Sequence, residues 1–183
     1  MSSERAAPGD PKLDILLSKL TPEMERRIRR LIRFAERNAI PIEFIDQGFR
    51  TCQQQNALYH EGTSPARGCR SWHTWGRAVD LYVSGWQRCG KGSVCEGLYE
   101  ILADYWKSMG GKWGGDFSYR DMVHFEWHPG MDSVSELCPH ADFICPQPPW
   151  PDDRPWYIRG QLPLGVGMAA LGIGGAFFVW KSI

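Results

Sequence analysis

Two short segments hold the residue types that could do chemistry. The first is S-W-H-T-W-G-R-A-V-D, from Ser71 to Asp80, and the second is K-W-G-G-D-F-S-Y-R-D-M-V-H-F-E, from Lys112 to Glu126. Together they supply two histidines and several carboxylates beside short strand signals. A catalytic zinc site uses three N or O protein ligands and keeps one position open for water. His73, Asp80 and His124 are the three candidates for those ligands. A further group must take a proton from the water and pass it to the leaving amine, and Asp121, just before His124, is placed for that role. His124, Glu126 and His128 alternate along the chain, so a strand puts all three on one face. His128 is therefore a rival ligand and Glu126 a rival base.

Elements that would position these groups are legible around them. Thr21 reads as a helix N-cap, with Pro22 at the first helical position and Glu23 in the first turn. Met24, Ile28, Leu31, Ile32 and Ala35 fall on one helical face, and Arg26, Arg27, Arg29, Arg30 and Arg33 fall largely on the others. Leu13–Leu20 and Gln53–His60 read as further helices. The spacing of Leu98, Ile101, Leu102 and Trp106 predicts an amphipathic helix over 95–109, closed by Gly110 and Gly111. Strand signals cover 42–45, 78–83 and 122–127, and 61–70 reads as a loop. The expected fold class is α+β, with a short antiparallel sheet and flanking helices.

The chain has 183 residues, enough for one ordinary domain with some tail. Hydrophobic residues make up 43% and aromatics 13%, sufficient for a true core. Lysine plus arginine and aspartate plus glutamate both count 21, so no basic excess points to a nucleic-acid partner. The expected organisation is a flexible arm (1–12), a catalytic domain (13–145), a proline-rich linker (146–161) and an apolar span (162–180).

That span has 19 residues without a charge, framed by Arg159 and Lys181. Roughly 20 apolar residues cross a hydrocarbon core as a helix. Trp156, Tyr157 and Trp180 are placed as interfacial aromatics, and five glycines in the span suit close helix packing in a bilayer. The segment is therefore expected to be a C-terminal transmembrane helix.

Six cysteines suit three disulfides in an oxidising space, paired with sequence neighbours as Cys89–Cys95, Cys138–Cys145 and Cys52–Cys69. Met1–Pro11 has no apolar stretch of the kind a secretory signal needs. Flanking charges mildly favour a cytoplasmic domain, so the two signals for compartment conflict.

The two segments together, S-x-H-x-x-G-x-A-x-D followed by D-x-x-H-F-E, resemble the zinc D-Ala-D-Ala carboxypeptidase and dipeptidase superfamily. Those enzymes act on peptidoglycan stem peptides and share a fold with the Hedgehog signalling domain. The K-W-G-G-D-F stretch is most similar to the endolysin-type L-alanyl-D-glutamate endopeptidases of bacteriophages. The resemblance runs from about 42 to 126. It implies Zn2+ held by His73, Asp80 and His124, Asp121 as the general base, Arg50 steadying the polarised carbonyl, and Ser71 touching substrate at the pocket edge. It implies peptidoglycan as substrate. With the apolar tail, it implies an enzyme held in a phage virion membrane or a bacterial inner membrane and acting on the periplasmic wall. A D,D-carboxypeptidase or dipeptidase is the alternative, and a zinc-bearing structural or wall-binding protein a second one. The glycines Gly110, Gly111, Gly114 and Gly115 favour the open groove an endopeptidase needs.

Overall fold

Helix starts follow the capping residues in the sequence. The computed structural model describes residues 5–46 and 48–138. Asp10 caps α1 (Pro11–Leu17), its side chain accepting the Lys12 amide. Thr21 caps α2 (Pro22–Arg37), and Thr51 forms a capping box with Gln54 at the start of α3 (Cys52–His60). Ser93 caps α4 (Val94–Ser108). The expected face of α2 is buried as read: Met24, Ile28, Leu31, Ile32 and Ala35. The face of α4 is rotated from the expected one. Tyr99, Leu102, Ala103 and Trp106 go inside, while Ile101 stays 48% exposed. Leu102 and Trp106 are buried as read, and Tyr99 takes an inner place because its polar group, like that of Trp106, finds backbone partners. The Tyr99 hydroxyl donates to Leu81 O at 3.0 Å, and the Trp106 indole N–H reaches Lys112 O and Glu126 O at 3.0 and 3.1 Å.

Five antiparallel strands form one sheet in the order β1-β2-β3-β5-β4. They are β1 (Arg5–Ala6), β2 (Ile42–Asp46), β3 (Ala78–Val83), β4 (Lys112–Trp113) and β5 (His124–Glu126). Within the stretch read as a flexible arm, Arg5–Ala6 pairs with Asp46 and Ile45. Neither β1 nor β4 was expected. Two residues carry no period, so the partner strand, not the local sequence, makes them strands.

Register divides the sheet into two faces. Ala6, Ile45, Val79, Leu81, Val83, Phe125 and Trp113 belong to the core cluster, packed with α1, α2 and α4. Asp46, Asp80 and His124 lie side by side across β2, β3 and β5, with Arg5 continuing the row on β1. A one-residue slip of any strand would exchange the two sets.

Among the described residues no helix is long and apolar enough to cross a membrane. The proline-rich linker and the apolar span at 162–180 lie outside the described residues.

Candidate metal centre

Three elements bring the donors together. Asp80 sits in the middle of β3, His124 opens β5 directly opposite it, and His73 lies on a 3-10 turn, Trp72–Trp75, before β3. His73 Nε2 is 3.2 Å from His124 Nδ1, and each of these nitrogens is 3.4 Å from Asp80 Oδ1. The three atoms form a nearly equilateral triangle. Tetrahedral coordination at about 2.0–2.1 Å sets ligand atoms about 3.3–3.4 Å apart, so this triangle has the size that zinc requires.

The donors' surroundings fit a cation as well. Asp80 Oδ1 is buried and accepts no hydrogen bond, while Oδ2 is held by Arg50 Nη2 at 2.6 Å. One carboxylate oxygen is thus pinned from outside and the other is directed into the triangle. Burial, reinforced by the Arg50 charge, pushes His73 down to about 4, so its ring is neutral and its lone pair available. Against the opposing effect of burial, the His73 and His124 rings and Arg50 hold Asp80 well below the usual carboxylate range. Burial also opposes the charge on His124, but Asp80 and Glu126 outweigh it and push that ring up to about 10.

Glu126 sits behind His124, not in the triangle. His124 Nε2 donates to Glu126 Oε2 at 2.9 Å, and Nδ1, which faces Asp80 and His73, is the nitrogen that would release its proton to a metal ion. The other Glu126 oxygen is 2.8 Å from His128 Nε2, and His128 Nδ1 donates to Met131 O at 2.7 Å. Trp72 stacks flat on the His128 ring, 3.9 Å between centroids. Both nitrogens of His128 are therefore engaged away from the triangle. Orienting carboxylates of this kind are worth about 10- to 100-fold in metal affinity. Glu126→Gln is expected to weaken zinc binding by that factor, read by competition with a chromogenic chelator. Unchanged affinity would remove Glu126 from the support of His124.

Asp121 lines the same cleft, exposed at its rim. Its backbone N–H donates to Gly114 O at 2.9 Å, and its carbonyl accepts the His124 N–H at 3.2 Å. A side chain at Gly114 would place Cβ 2.3 Å from that Asp121 carbonyl, so glycine lets the two segments touch. Partial burial and the nearby Asp80 charge raise the Asp121 carboxyl, with His124 and Arg50 acting against them. Asp116, from the same G-G-D element, pairs instead with Lys107 at 3.1 Å.

The cleft over the donors measures about 660 Å³ and is open to solvent. Ser71 lies in its wall, and Phe117 and Tyr119 stand at its rim, Tyr119 83% exposed. Gln55 was not singled out from sequence. It is fully buried, accepts from Arg50 Nη1 at 3.3 Å, and donates to Ser64 Oγ and Ala66 O at 2.7 Å. It thereby ties Arg50 to the loop forming the opposite wall. The run of glutamines after Arg50 was its only signal. His60 is exposed at the end of α3, and His140 lies outside the described residues.

Disulfides differ in part from the expected pairing. Cys89–Cys95 is formed as expected. Cys69 pairs with Cys138, which overturns both Cys52–Cys69 and Cys138–Cys145. The chain returning after β5 lays the Val134–Glu136 turn against the Gly68–Arg70 turn, so spatial and not sequence neighbours are joined. Cys52 is disulfide-bonded too.

Residues 64–127, which contain all three donors and Asp121, match the family model described as D-alanyl-D-alanine carboxypeptidase. The chain is also 28% identical over 113 residues to the L-alanyl-D-glutamate peptidase of Listeria phage A118. The aligned part is 61% of this chain and 39% of that protein, so the chain spans about two-fifths of the length of this curated relative. Two solved structures are also similar. One is the L-Ala D-Glu endopeptidase ChiX of Serratia marcescens, at 23% identity and a TM-score of 0.49, covering 69% of this chain and 90% of that one. The other is the LD-carboxypeptidase LdcB, at 19% identity and a TM-score of 0.46, covering 66% and 75%.

Proposed function

We propose that this chain is a zinc-dependent peptidoglycan peptidase, an endopeptidase that cuts stem peptides at or near the L-Ala–D-Glu bond. The observation that carries this reading is the donor triangle, 3.2 to 3.4 Å on each side, at the floor of an open cleft. A bound zinc ion supplies Lewis-acid polarisation and brings the pKa of water from 15.7 to about 7. The chain's own residues do the rest. His73, Asp80 and His124 would hold the ion, and Glu126 would orient the His124 ring toward it. Asp121 accepts the proton of the attacking water and returns it to the leaving amine. Arg50 orients Asp80, and its charge stabilises the oxyanion that develops on the scissile carbonyl. Ser71 contacts the peptide at the cleft wall. The relative from Listeria phage A118, itself named for the L-alanyl-D-glutamate bond, supports this choice of bond.

Peptidoglycan digested by the full chain in detergent, with and without a zinc chelator, tests the reading by mass spectrometry of the products. Chelator-sensitive release of peptides with new D-Glu amino termini is expected. Loss of only a terminal D-Ala would replace it with the carboxypeptidase reading, which the description of the matched family model favours. No products from zinc-loaded protein would sink the enzymatic reading altogether.

The apolar, uncharged run at 162–180 supports a membrane anchor, and the disulfides support a domain that works in an oxidising space at the periplasmic wall, held by a virion or inner membrane. Deleting 162–183 is expected to abolish co-sedimentation with lipid vesicles and to leave hydrolysis of soluble stem peptides intact. Continued co-sedimentation would locate the membrane contact elsewhere.

A further inference from the structure

The charge balance of the cleft leaves one cation without a carboxylate. Asp80, Asp121 and Glu126 all line it. Arg50 lines it too, but it is paired with Asp80 Oδ2 at 2.6 Å and is assigned above to the scissile carbonyl. Arg70 also lines the cleft, is exposed, and has no acidic partner among the described residues. Its neighbour Arg67 is turned aside, its guanidinium 4.5 Å from the centre of the Tyr59 ring.

Arg70 is also rigidly mounted. It ends the Gly68–Arg70 turn, three residues before His73. The turn is fixed at each residue: Gly68 N–H donates to Asn56 Oδ1 at 2.9 Å, Cys69 O accepts the Trp75 indole N–H at 2.8 Å, and Arg70 N–H donates to Arg67 O at 2.8 Å. The Cys69–Cys138 disulfide joins the same turn to the chain beyond β5. With the backbone beneath it pre-set, only the Arg70 side chain remains to be ordered on binding a ligand.

We infer that Arg70 is a carboxylate-binding subsite of the cleft, reading a free acid group on the peptide near the bond that is cut. This rests on the peptidase reading above. A glutamate linked through one carboxyl group keeps its other carboxyl free, and a stem peptide also carries a terminal carboxylate. Either gives up water on entering the cleft wall, and a cation that meets it there offsets that cost. Guanidinium is suited to that task because its planar fork takes a carboxylate with two parallel hydrogen bonds.

The test compares the wild-type chain with Arg70→Gln and Arg70→Lys on three synthetic stem peptides: the acid, its D-glutamate α-amide, and its C-terminal amide. Arg70→Gln is expected to raise KM for the acid roughly 10- to 100-fold, the usual worth of a hydrogen bond to a charged group. Its kcat and zinc content should stay within about twofold of wild type, and Arg70→Lys should recover part of the loss. The amide on which the substitution has no effect identifies the carboxylate that is read. Equal losses on all three peptides, or no loss on any, would overturn the subsite. If zinc-loaded wild type cleaves none of them, the peptidase reading fails on its own. Calorimetric binding of the same peptides then decides the subsite: weaker binding of the acid alone by Arg70→Gln supports it, and equal binding overturns it.

Discussion

Replacing Asp121 by alanine is expected to lower kcat by roughly 10²- to 10⁴-fold, the usual range for a general base, with zinc content unchanged. Metal retention follows from the geometry, since the donor triangle consists of His73, Asp80 and His124 without Asp121. The loss of turnover follows from place and proton affinity. Asp121 is at the cleft rim, open to solvent, and its carboxyl is raised by partial burial and by Asp80. Glu126 is the rival, but its two oxygens already face His124 and His128, whose hydrogen bonds and charges lower its carboxyl against the opposing effect of burial. A group held in that state is a poor proton acceptor. Normal turnover by Asp121→Ala, measured alongside zinc content, would transfer the role to Glu126.

The second large effect is expected from His73→Ala. Two donors remain, and a site that held zinc through three should lose stoichiometric metal and, with it, hydrolysis down to background. His73 is 3% exposed and close to both other donors, so its removal also opens a cavity beside Asp80 Oδ1, which has no hydrogen-bond partner. A cost of about 1–3 kcal/mol in folding stability is expected from the cavity left by the buried ring. Zinc content by mass spectrometry and unfolding in denaturant separate the two effects. One zinc per chain in the variant would take His73 out of the ligand set.

Much of this arrangement was legible in the sequence because its signals were local. The cap at Thr21 marks the start of α2, and the A-V-D-L-Y-V run marks β3, on which Asp80 points away from its core-facing neighbours. The gathering of His73, Asp80 and His124 was anticipated from motif spacing and family resemblance. What stayed hidden was set by distant partners. β1 and β4 are strands only because β2 and β5 pair with them. Cys69 meets Cys138 across 69 positions. Ile101 has the right period for burial, yet Tyr99 takes the inner place because its hydroxyl bridges to β3. The sequence also offered Arg50 only as a carbonyl partner, whereas its guanidinium also holds Asp80 Oδ2 at 2.6 Å. Glu126 was weighed as a base, and its tie to both His124 and His128 depended on a register that spacing alone does not fix.

The division of the sheet into a core face and a donor face bears on how the metal would come and go. Small zinc-dependent domains often need the ion in order to fold, so chelation denatures them. Here Val79, Leu81 and Phe125 close the core from one face, and the same register presents Asp80 and His124 on the other. Folding has aligned two of the three donors before any ion arrives. Chelation should then act as a reversible off-switch: circular dichroism unchanged, activity gone, and full recovery when zinc is returned without a refolding step.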